Sequence, residues 1–571
     1  MSRFRFLANH QKNELASLLV VVVVSSVLGA WWLRFILFDS AGKLLASYGD
    51  LVWNLAAVQT WMRAGPISAD QNLAAGIGFD PWKLPQMGIL SGLISWIGGF
   101  LGLNVNTVFG ATVLVGAILN SASLHFLFTQ ITRKFRKIRV VLSIYLGAGV
   151  FTFGVLGHSQ VRQYFVLYFF FGCLIKTIKK EVSNSKIMFL IMFFAVALSP
   201  TWPMYVMVLI LTLTFVITLL RQEFIMAKIQ SKFLVIAILG LIPQTILYVS
   251  AREKNSPPDR GFWDSNVYGG HLLDFFMSSP WLNSLALKKF EFKPGISVEP
   301  NQLGLFGGVL AVIGFMFLLG FKHRNYLNQS SMHLNTGSLL DNALLATTLL
   351  FITGGFGNLL SGLTSFLGFP SPGRAYSRLL ILIAVFGSCK LLHYLSVVDK
   401  PSSSKRLLAF LLFVGMSTAQ YSDFQHTPRE TPFAKNLLPE FPAVHFISKN
   451  SKPNCTVAQF PVDTFPTNQV SSTWPDVPNF HFRGFVPYLL DPTLRWSFGY
   501  ANPLNSEINA IVGSRIDSNT LTQLETLGVC VVLFDNLLSS TALERGIDLI
   551  GVEVTSSETF TNFGRFSVYI L

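Results

Sequence analysis

The chain has 571 residues, 51% of them hydrophobic and only 13% charged, with a mean hydropathy of +0.50. Those values exclude a soluble globular protein and a disordered one, and point to a polytopic membrane protein. A formal net charge of +14 would suit a polyanionic partner, but the bases sit in short hydrophilic breaks between apolar runs. The stretch beyond Tyr421 holds more acids than bases, so nucleic acid is not an expected partner.

In chain order, the basic segment MSRFRFLANHQKNE leads into the apolar run Leu15–Phe38. That run is too long for a signal-peptide core and no small-x-small cleavage site follows, so it reads as a retained first span with a cytoplasmic N-terminus. A helix needs about 20 apolar residues to cross the hydrocarbon core. Further candidate crossings are Thr107–Ile131, Val140–Gly157, Tyr164–Ile178, Ile187–Leu198, Met204–Leu220, Phe233–Val249, Leu303–Gly320, Leu344–Gly355, Leu379–Val397 and Leu407–Thr418. The run Met87–Leu103 is apolar enough to join them. Counting it would put Arg133, Lys134, Arg136, Lys137 and Arg139 outside, and every later basic loop would alternate wrongly. Leaving it in the interface, or re-entrant, brings all the basic clusters into the cytoplasm, as the positive-inside bias requires. Its five glycines also make a poor straight span. The expectation is about 11 spans in the cell (inner or plasma) membrane, N-terminus in and C-terminus out.

Four longer connections then face outward: 38–103, 157–163, 250–302 and 357–378. Beyond Tyr421 Pro, Asn, Ser and acids become common and no further span appears. Residues 1–420 therefore read as a transmembrane domain and 421–571 as a separate extracytoplasmic α/β domain. There TVAQFPV and GVCVVLFDN have the continuous apolar pattern of buried strands. SEINAIVGSR, NTLTQLETLG and SSTALERGIDLIG read as helices, the second ending at Gly528, and the last residues as a hairpin around Asn562-Phe563-Gly564. Cys455 and Cys530 lie on or beside the two core strands, where a disulfide and two buried thiols are both open. Cys173 and Cys389 fall in spans, away from any motif.

The first outer connection contains SYGDLVWNLAAVQTWMRAG, Ser47–Gly65. Leu51, Leu55, Val58 and Met62 share one face of a helix, and Trp53 and Trp61 suit a membrane–water interface. Asp50 stands at its start, where a helix cap is one reading. Chemistry is the other, because the same side presents an unusual set of bases: His158, Arg162, Arg252, Arg260, His271, Arg374 and Arg378. A guanidinium fork matches phosphate; a surface side chain, or a partner for a nearby aspartate, is the alternative for each. One carboxylate with several arginines suits sugar transfer from a lipid phosphate. The carboxylate takes the acceptor hydroxyl's proton as that oxygen attacks the anomeric carbon, and the arginines stabilise the departing phosphate. A single displacement of this kind inverts the anomeric centre. There is no P-loop and no strand-linked dinucleotide fingerprint.

The order YGDLVWNLAAVQTWMRAG, GFDPWKLPQ, GHSQVRQYFVLYFF, YGGHLLDFF and PGRAYSR resembles the GT-C superfamily of polyprenyl-phosphate-sugar-dependent glycosyltransferases over roughly residues 15 to 420. The tail, with FRGFVPYLLDPTLRWSFGY, is similar to extracytoplasmic C-terminal domains of bacterial members. The resemblance implies that Asp50 is the catalytic base, with Asp80 of GFDPW in reserve and Asp39 a weaker candidate. It implies a donor-phosphate site from His158, Arg162, Arg252, Arg260, Arg374 and Arg378, and a glycan or glycolipid acceptor. Asp50 has no acidic neighbour, unlike family members with a paired acidic motif, so a divalent cation is left open and no other cofactor is implied. In the tail, Arg483, Asp491, Arg495 and Trp496 are candidates for holding the acceptor; a core indole is the other reading of Trp496. The rivals to a transferase are a lipid or sugar transporter (flippase), a polymerase or ligase of a different membrane fold, and a scaffold. Ion-coupled transport would favour ionisable groups deep in spans. Lys390, His393 and His125 are the obvious ones, and each reads as lying near a cytoplasmic end where long side chains snorkel.

Overall fold

The computed structural model describes residues 2–45, 49–75, 78–83, 88–153, 156, 163–180, 185–251, 305–318, 331–352, 359, 376–397, 415, 431–452, 455–460, 464–465, 484–500, 503–512, 518–536 and 560–571. The chain divides into two compact units. One comprises Met1–Leu33, Val113–Ile246 and Asp259–Arg429; the other Arg34–Thr112, Leu247–Pro258 and Glu430–Leu571.

The first unit is helical. In order come α1 (Ser2–Trp32), the short α2 (Arg34–Leu37), α3 (Gly49–Ala64), α4 (Ile89–Phe100), α5 (Val105–Ile131), α6 (Arg136–Gly147), α7 (Val150–Phe153), α8 (Phe165–Ile178), α9 (Ser185–Leu198), α10 (Thr201–Leu220), α11 (Phe224–Ala251), α12 (Leu305–Leu318), α13 (Ser331–Phe351) and α14 (Leu380–Val397). Of these, α2 to α4, the start of α5 and the end of α11 belong to the second unit. Among the described residues four stretches, Lys12–Trp32, Val105–Ile131, Trp202–Leu220 and Phe224–Ser250, are long and apolar enough to cross a membrane, and shorter apolar helices accompany them. The expected crossing Val140–Gly157 is interrupted, since α6 ends at Gly147 and the four-residue α7 follows. Leu407–Thr418 lies outside the described residues but for 415.

Packing in this unit uses small residues. A Cβ on Gly387 would stand 2.6 Å from the carbonyl oxygen of Leu310, so α12 and α14 touch backbone to backbone. Close approach through glycine is how helices gain dispersion energy where lipid removes the hydrophobic drive. Its buried ionisable side chains Lys390, His125 and Arg139 are partnered internally and do not snorkel outward. Lys390 is 6% exposed and bonds Asp341 at 2.7 Å. His125 is 3% exposed, its Nε2 2.9 Å from Ser17 Oγ. Arg139 is fully buried and forks onto both Glu14 oxygens at 2.8 and 3.1 Å. A cation inside a helical bundle needs such a partner, because the medium cannot solvate it.

The second unit holds all the described strands. β1 (Lys43–Leu44) pairs antiparallel with β2 (Phe433–Ala434). The main sheet takes β3 (Thr456–Phe460), β5 (Arg495–Trp496), β7 (Val529–Asp535), β8 (Phe560–Phe563) and β9 (Phe566–Ile570) in the order β5-β3-β7-β9-β8; β4 (Thr464–Phe465) and β6 (Gly499–Tyr500) form a separate parallel pair. The pairs β5-β3 and β3-β7 are parallel, while β9 is antiparallel to both β7 and β8. The two apolar runs read as core strands are thus adjacent, and the terminal hairpin turns at Gly564 with φ +81°. Their helices are α15 (Phe441–Asn450), α16 (Phe485–Leu490), α17 (Pro503–Val512) and α18 (Ser518–Thr526). The last stops before Gly528, whose φ of +78° only glycine adopts readily. Ile508, Leu521 and Leu524 pack on Ala458, Val532 and Phe534. A disulfide joins Cys455 to Cys530 beside the paired ends of β3 and β7, with Cα atoms 5.6 Å apart, well within bonding range.

One edge of this sheet is closed by the chain's own first long connection. Trp496 N donates to Asn72 O at 2.8 Å, Ala74 N to Phe498 O at 2.9 Å and Ala75 N to Trp496 O at 3.0 Å. Residues 72–75 therefore run beside β5 as an added strand, covering an edge that would otherwise be open to foreign pairing.

Candidate active site

The site expected from sequence is built on α3. Asp50 lies in its first turn, half-buried, where unbonded amide groups and the helix dipole favour an anion. The helix carrying it is not amphipathic in the sense expected. Leu51 to Val58, with Thr60 and Trp61, are each at most 5% exposed, so burial continues around the whole helix. Trp53 and Trp61 are each 1% exposed and lie inside the unit, not at a wet interface. Trp61 packs on Trp82 with ring centroids 5.9 Å apart. Periodicity could not foresee this, because the covering groups come from α4 and from α16, a segment more than 400 residues onward.

Close packing of α4 on α3 explains the glycine-rich run. A Cβ on Gly99 would fall 2.2 Å from Met62 O, so only glycine lets the two backbones meet. Ser91, Gly92, Ser95 and Gly98 form the buried side of α4, while Trp96, Ile97 and Phe100 are 51%, 53% and 88% exposed. Twelve residues at about 1.5 Å each give some 18 Å, short of the roughly 30 Å of a hydrocarbon core. The helix thus presents an apolar outer face and a small-residue inner face packed on α3.

A carboxylate that sequence reasoning passed over organises the connection after α3. Asp70, 6% exposed, accepts from Arg63 Nε at 3.0 Å and Tyr488 Oη at 2.7 Å through one oxygen. Its other oxygen accepts from Asn72 N at 2.9 Å, closing a local turn of the Asx type. Tyr488 Oη also lies 3.3 Å from Thr60 Oγ1, and Asn72 Nδ2 donates to Pro492 O and Thr493 O. Burial first, then the Asp70 charge, pushes the Tyr488 phenol well above its ordinary range, so it stays a donor. Asp70 therefore ties the end of α3 to α16. The sequence signal was present only locally, in Asp-x-Asn; nothing local announces Tyr488.

Asp80, half-buried, accepts from Trp82 N at 2.9 Å and opens a turn of 3-10 helix, Pro81–Lys83. It follows Phe79, which exchanges two backbone hydrogen bonds with Asp70 at 2.9 and 3.0 Å. Asp39 is exposed and pairs with Lys43 at 2.8 Å, an ordinary surface pair. Among the phosphate-binding candidates, Arg378 is half-buried in the turn Tyr376–Leu379 of the helical unit. His158, Arg162, Arg252, Arg260 and Arg374 lie outside the described residues, as does Arg483. Trp496 is fully buried and donates from Nε1 to Asp491 O at 2.9 Å. The indole has no exposed face and packs as a core aromatic, the other reading of Trp496; Arg495 beside it is half-buried. Among the described residues no three His, Cys, Asp or Glu side chains gather as a metal site.

No family model matches the chain, and no curated protein matches it in sequence. Among solved structures it is similar to the arabinofuranosyltransferase AftD from Mycobacteria. A mutant form of that protein gives 14% identity and a TM-score of 0.50, covering 91% of this chain and 36% of AftD; the other AftD structure gives 14%, 0.50, 91% and 35%. The chain thus spans about a third of AftD's length. ArnT from Cupriavidus metallidurans bound to undecaprenyl phosphate matches at 10% identity over 95% of this chain and 97% of that one, with a TM-score of 0.38, a likeness too distant to carry weight. The AftD likeness shows the fold: a polytopic arrangement of apolar helices with a C-terminal α/β region.

Proposed function

We propose that this GT-C-fold chain is an inverting glycosyltransferase, moving a sugar from a polyprenyl-phosphate donor to a cell-envelope glycan or lipid acceptor at the outer face of the membrane. The observation that carries this reading is Asp50, half-buried in the first turn of a helix that is itself encased on all sides. A carboxylate on so rigid a mount can be aimed at an incoming hydroxyl with little reorganisation.

In the proposed step the acceptor oxygen attacks the anomeric carbon as its proton passes to Asp50, and the anomeric carbon–phosphate oxygen bond breaks. The polyprenyl phosphate leaves with the bonding pair, and His158, Arg162, Arg252, Arg260, Arg374 and Arg378 are the proposed set for its developing charge. Asp80, held in its turn by the Trp82 amide, is the alternative base. Because AftD is by name an arabinofuranosyltransferase, a polyprenyl-phosphate pentose is the first donor to assay, with hexose donors beside it. The test is Asp50→Asn in the full chain, assayed for transfer from lipid-linked pentose to cell-envelope glycan. The expected result is loss of transfer with unchanged expression and melting. Transfer at the wild-type rate by Asp50→Asn, with Asp80→Asn inactive, would move the base to Asp80; full activity in both would end the proposal.

A further inference from the structure

A groove of about 280 Å³ opens between α1 and α6 of the helical unit, lined by Ala16 and Val20 on one side and Arg136, Lys137, Val140 and Val141 on the other. Charge and apolar surface are segregated along both walls. Lys12, Ala16 and Val20 recur every four residues on one stripe of α1, and Arg136 and Lys137 precede Val140 and Val141 by one turn of α6. Lys12, Arg136 and Lys137 are exposed, and Val20 is 49% exposed to whatever fills the slot. From Lys12 to Val20 the helix rises about 12 Å, the distance from a lipid headgroup into its acyl chain.

The internal partners at this end are already engaged. Arg139 is buried with both Glu14 oxygens, and Ser17, the remaining lining residue, has its hydroxyl engaged by Glu14 O and His125. Arg136, Lys137 and Lys12 make no ion pair among the described residues. Two cations, Arg136 and Lys137, therefore line an aliphatic slot, with Lys12 one turn before Ala16 on α1, and the lining lacks the aromatic faces and acceptor groups a sugar would need.

We infer that the groove binds an anionic phospholipid, its phosphate against Arg136, Lys137 and Lys12 and one acyl chain along Val20, Val140 and Val141. Basic pockets between membrane helices take such headgroups, whereas a zwitterionic lipid would bring an ammonium toward the same positive charge. The inference does not depend on the transferase reading.

The experiment is native mass spectrometry of the purified full chain in detergent, titrated with phosphatidylglycerol and, separately, phosphatidylcholine. Phosphatidylglycerol should be retained and phosphatidylcholine should not. Arg136→Gln with Lys137→Gln should weaken phosphatidylglycerol retention by roughly 25-fold, about fivefold for each charge removed. Val140→Trp, which fills the slot and keeps the cations, should lower occupancy as well, and decides the matter if the double variant does not fold. Equal retention of the two lipids by the wild type would overturn the inference. So would undiminished phosphatidylglycerol binding in the variants, or its displacement by inorganic phosphate at equal concentration.

Discussion

The helical unit and the unit built from residues 34–112, 247–258 and 430–571 differ in what holds each of them together internally. In the first, each element is one continuous segment, and neighbours meet through small residues and a few buried ion pairs such as Arg139 with Glu14. In the second, segments far apart in the chain complete one another. Residues 72–75 lie as a strand beside β5, β1 pairs with β2, and Thr60 meets Tyr488 across 428 positions. The proposed catalytic helix belongs to this second kind of structure. Its rigidity comes from the tail, so the tail is a working part of the first long connection.

The largest expected effect separates chemistry from scaffold. Asp50→Asn should lower transfer by about 10²- to 10⁴-fold, the ordinary worth of a positioned general base, with both units melting as in the wild type. Next comes the tie itself. Asp70→Ala strips Tyr488 and Arg63 of their acceptor, and because Arg63 is one-third exposed the loss should sit near the low end for a broken buried pair, about 3 kcal/mol. Limited proteolysis should then cut in residues 66–83 and in the tail, sparing the helical unit. If the helices loosen equally, the contrast between the two units fails.

Removing the disulfide with Cys455→Ser should cost about 2–4 kcal/mol, read as a lower melting temperature of the tail sheet. The same loss should follow reduction of the wild type. Smaller again is a matched pair of glycine substitutions. Gly99→Ala presses on a backbone carbonyl in the loop–tail unit and Gly387→Ala does so between α12 and α14; each should destabilise by about 1–3 kcal/mol. Gly99→Ala should in addition reduce transfer, by shifting α3, whereas Gly387→Ala should melt earlier at unchanged specific activity.

These two kinds of structure also differ in how far they could be read from sequence. Hydropathy located α1, α5, α10 and α11 because a span is a local property, and the glycine-rich run was set apart from the spans on charge and glycine content alone. Strand patterns and Gly528 placed β3, β7 and the end of α18, since buried strands and helix stops are local too. The full burial of α3, the edge strand 72–75 and the Tyr488 side of the Asp70 tie were illegible, because the residues that complete them, in α16 and around β5, lie hundreds of positions away. Trp496 shows the same limit. An indole beside Arg495 looks like a sugar platform until the sheet that buries it is known.

The smallest effect probes the far side of the tie. Asp491 accepts from Ser448 Oγ at 2.7 Å and from Thr493 N at 2.9 Å. Burial alone would raise its carboxyl, but these hydrogen bonds outweigh it and hold the group below its ordinary value of 3.8. A carboxylate depressed in the folded state stabilises it at every pH above the unfolded value, and that contribution disappears as pH falls through the native one. Asp491→Asn should therefore melt slightly below the wild type between pH 5 and pH 7 (a range set well above the roughly 3.9 of a free aspartate). The two melting curves should converge as pH drops below about 3.8. The difference should be confined to the tail sheet, because α15, which carries Ser448, and the 491–493 turn both belong to the loop–tail unit. A gap that stays constant down to pH 3 would show that Asp491 acts through its shape and not its charge.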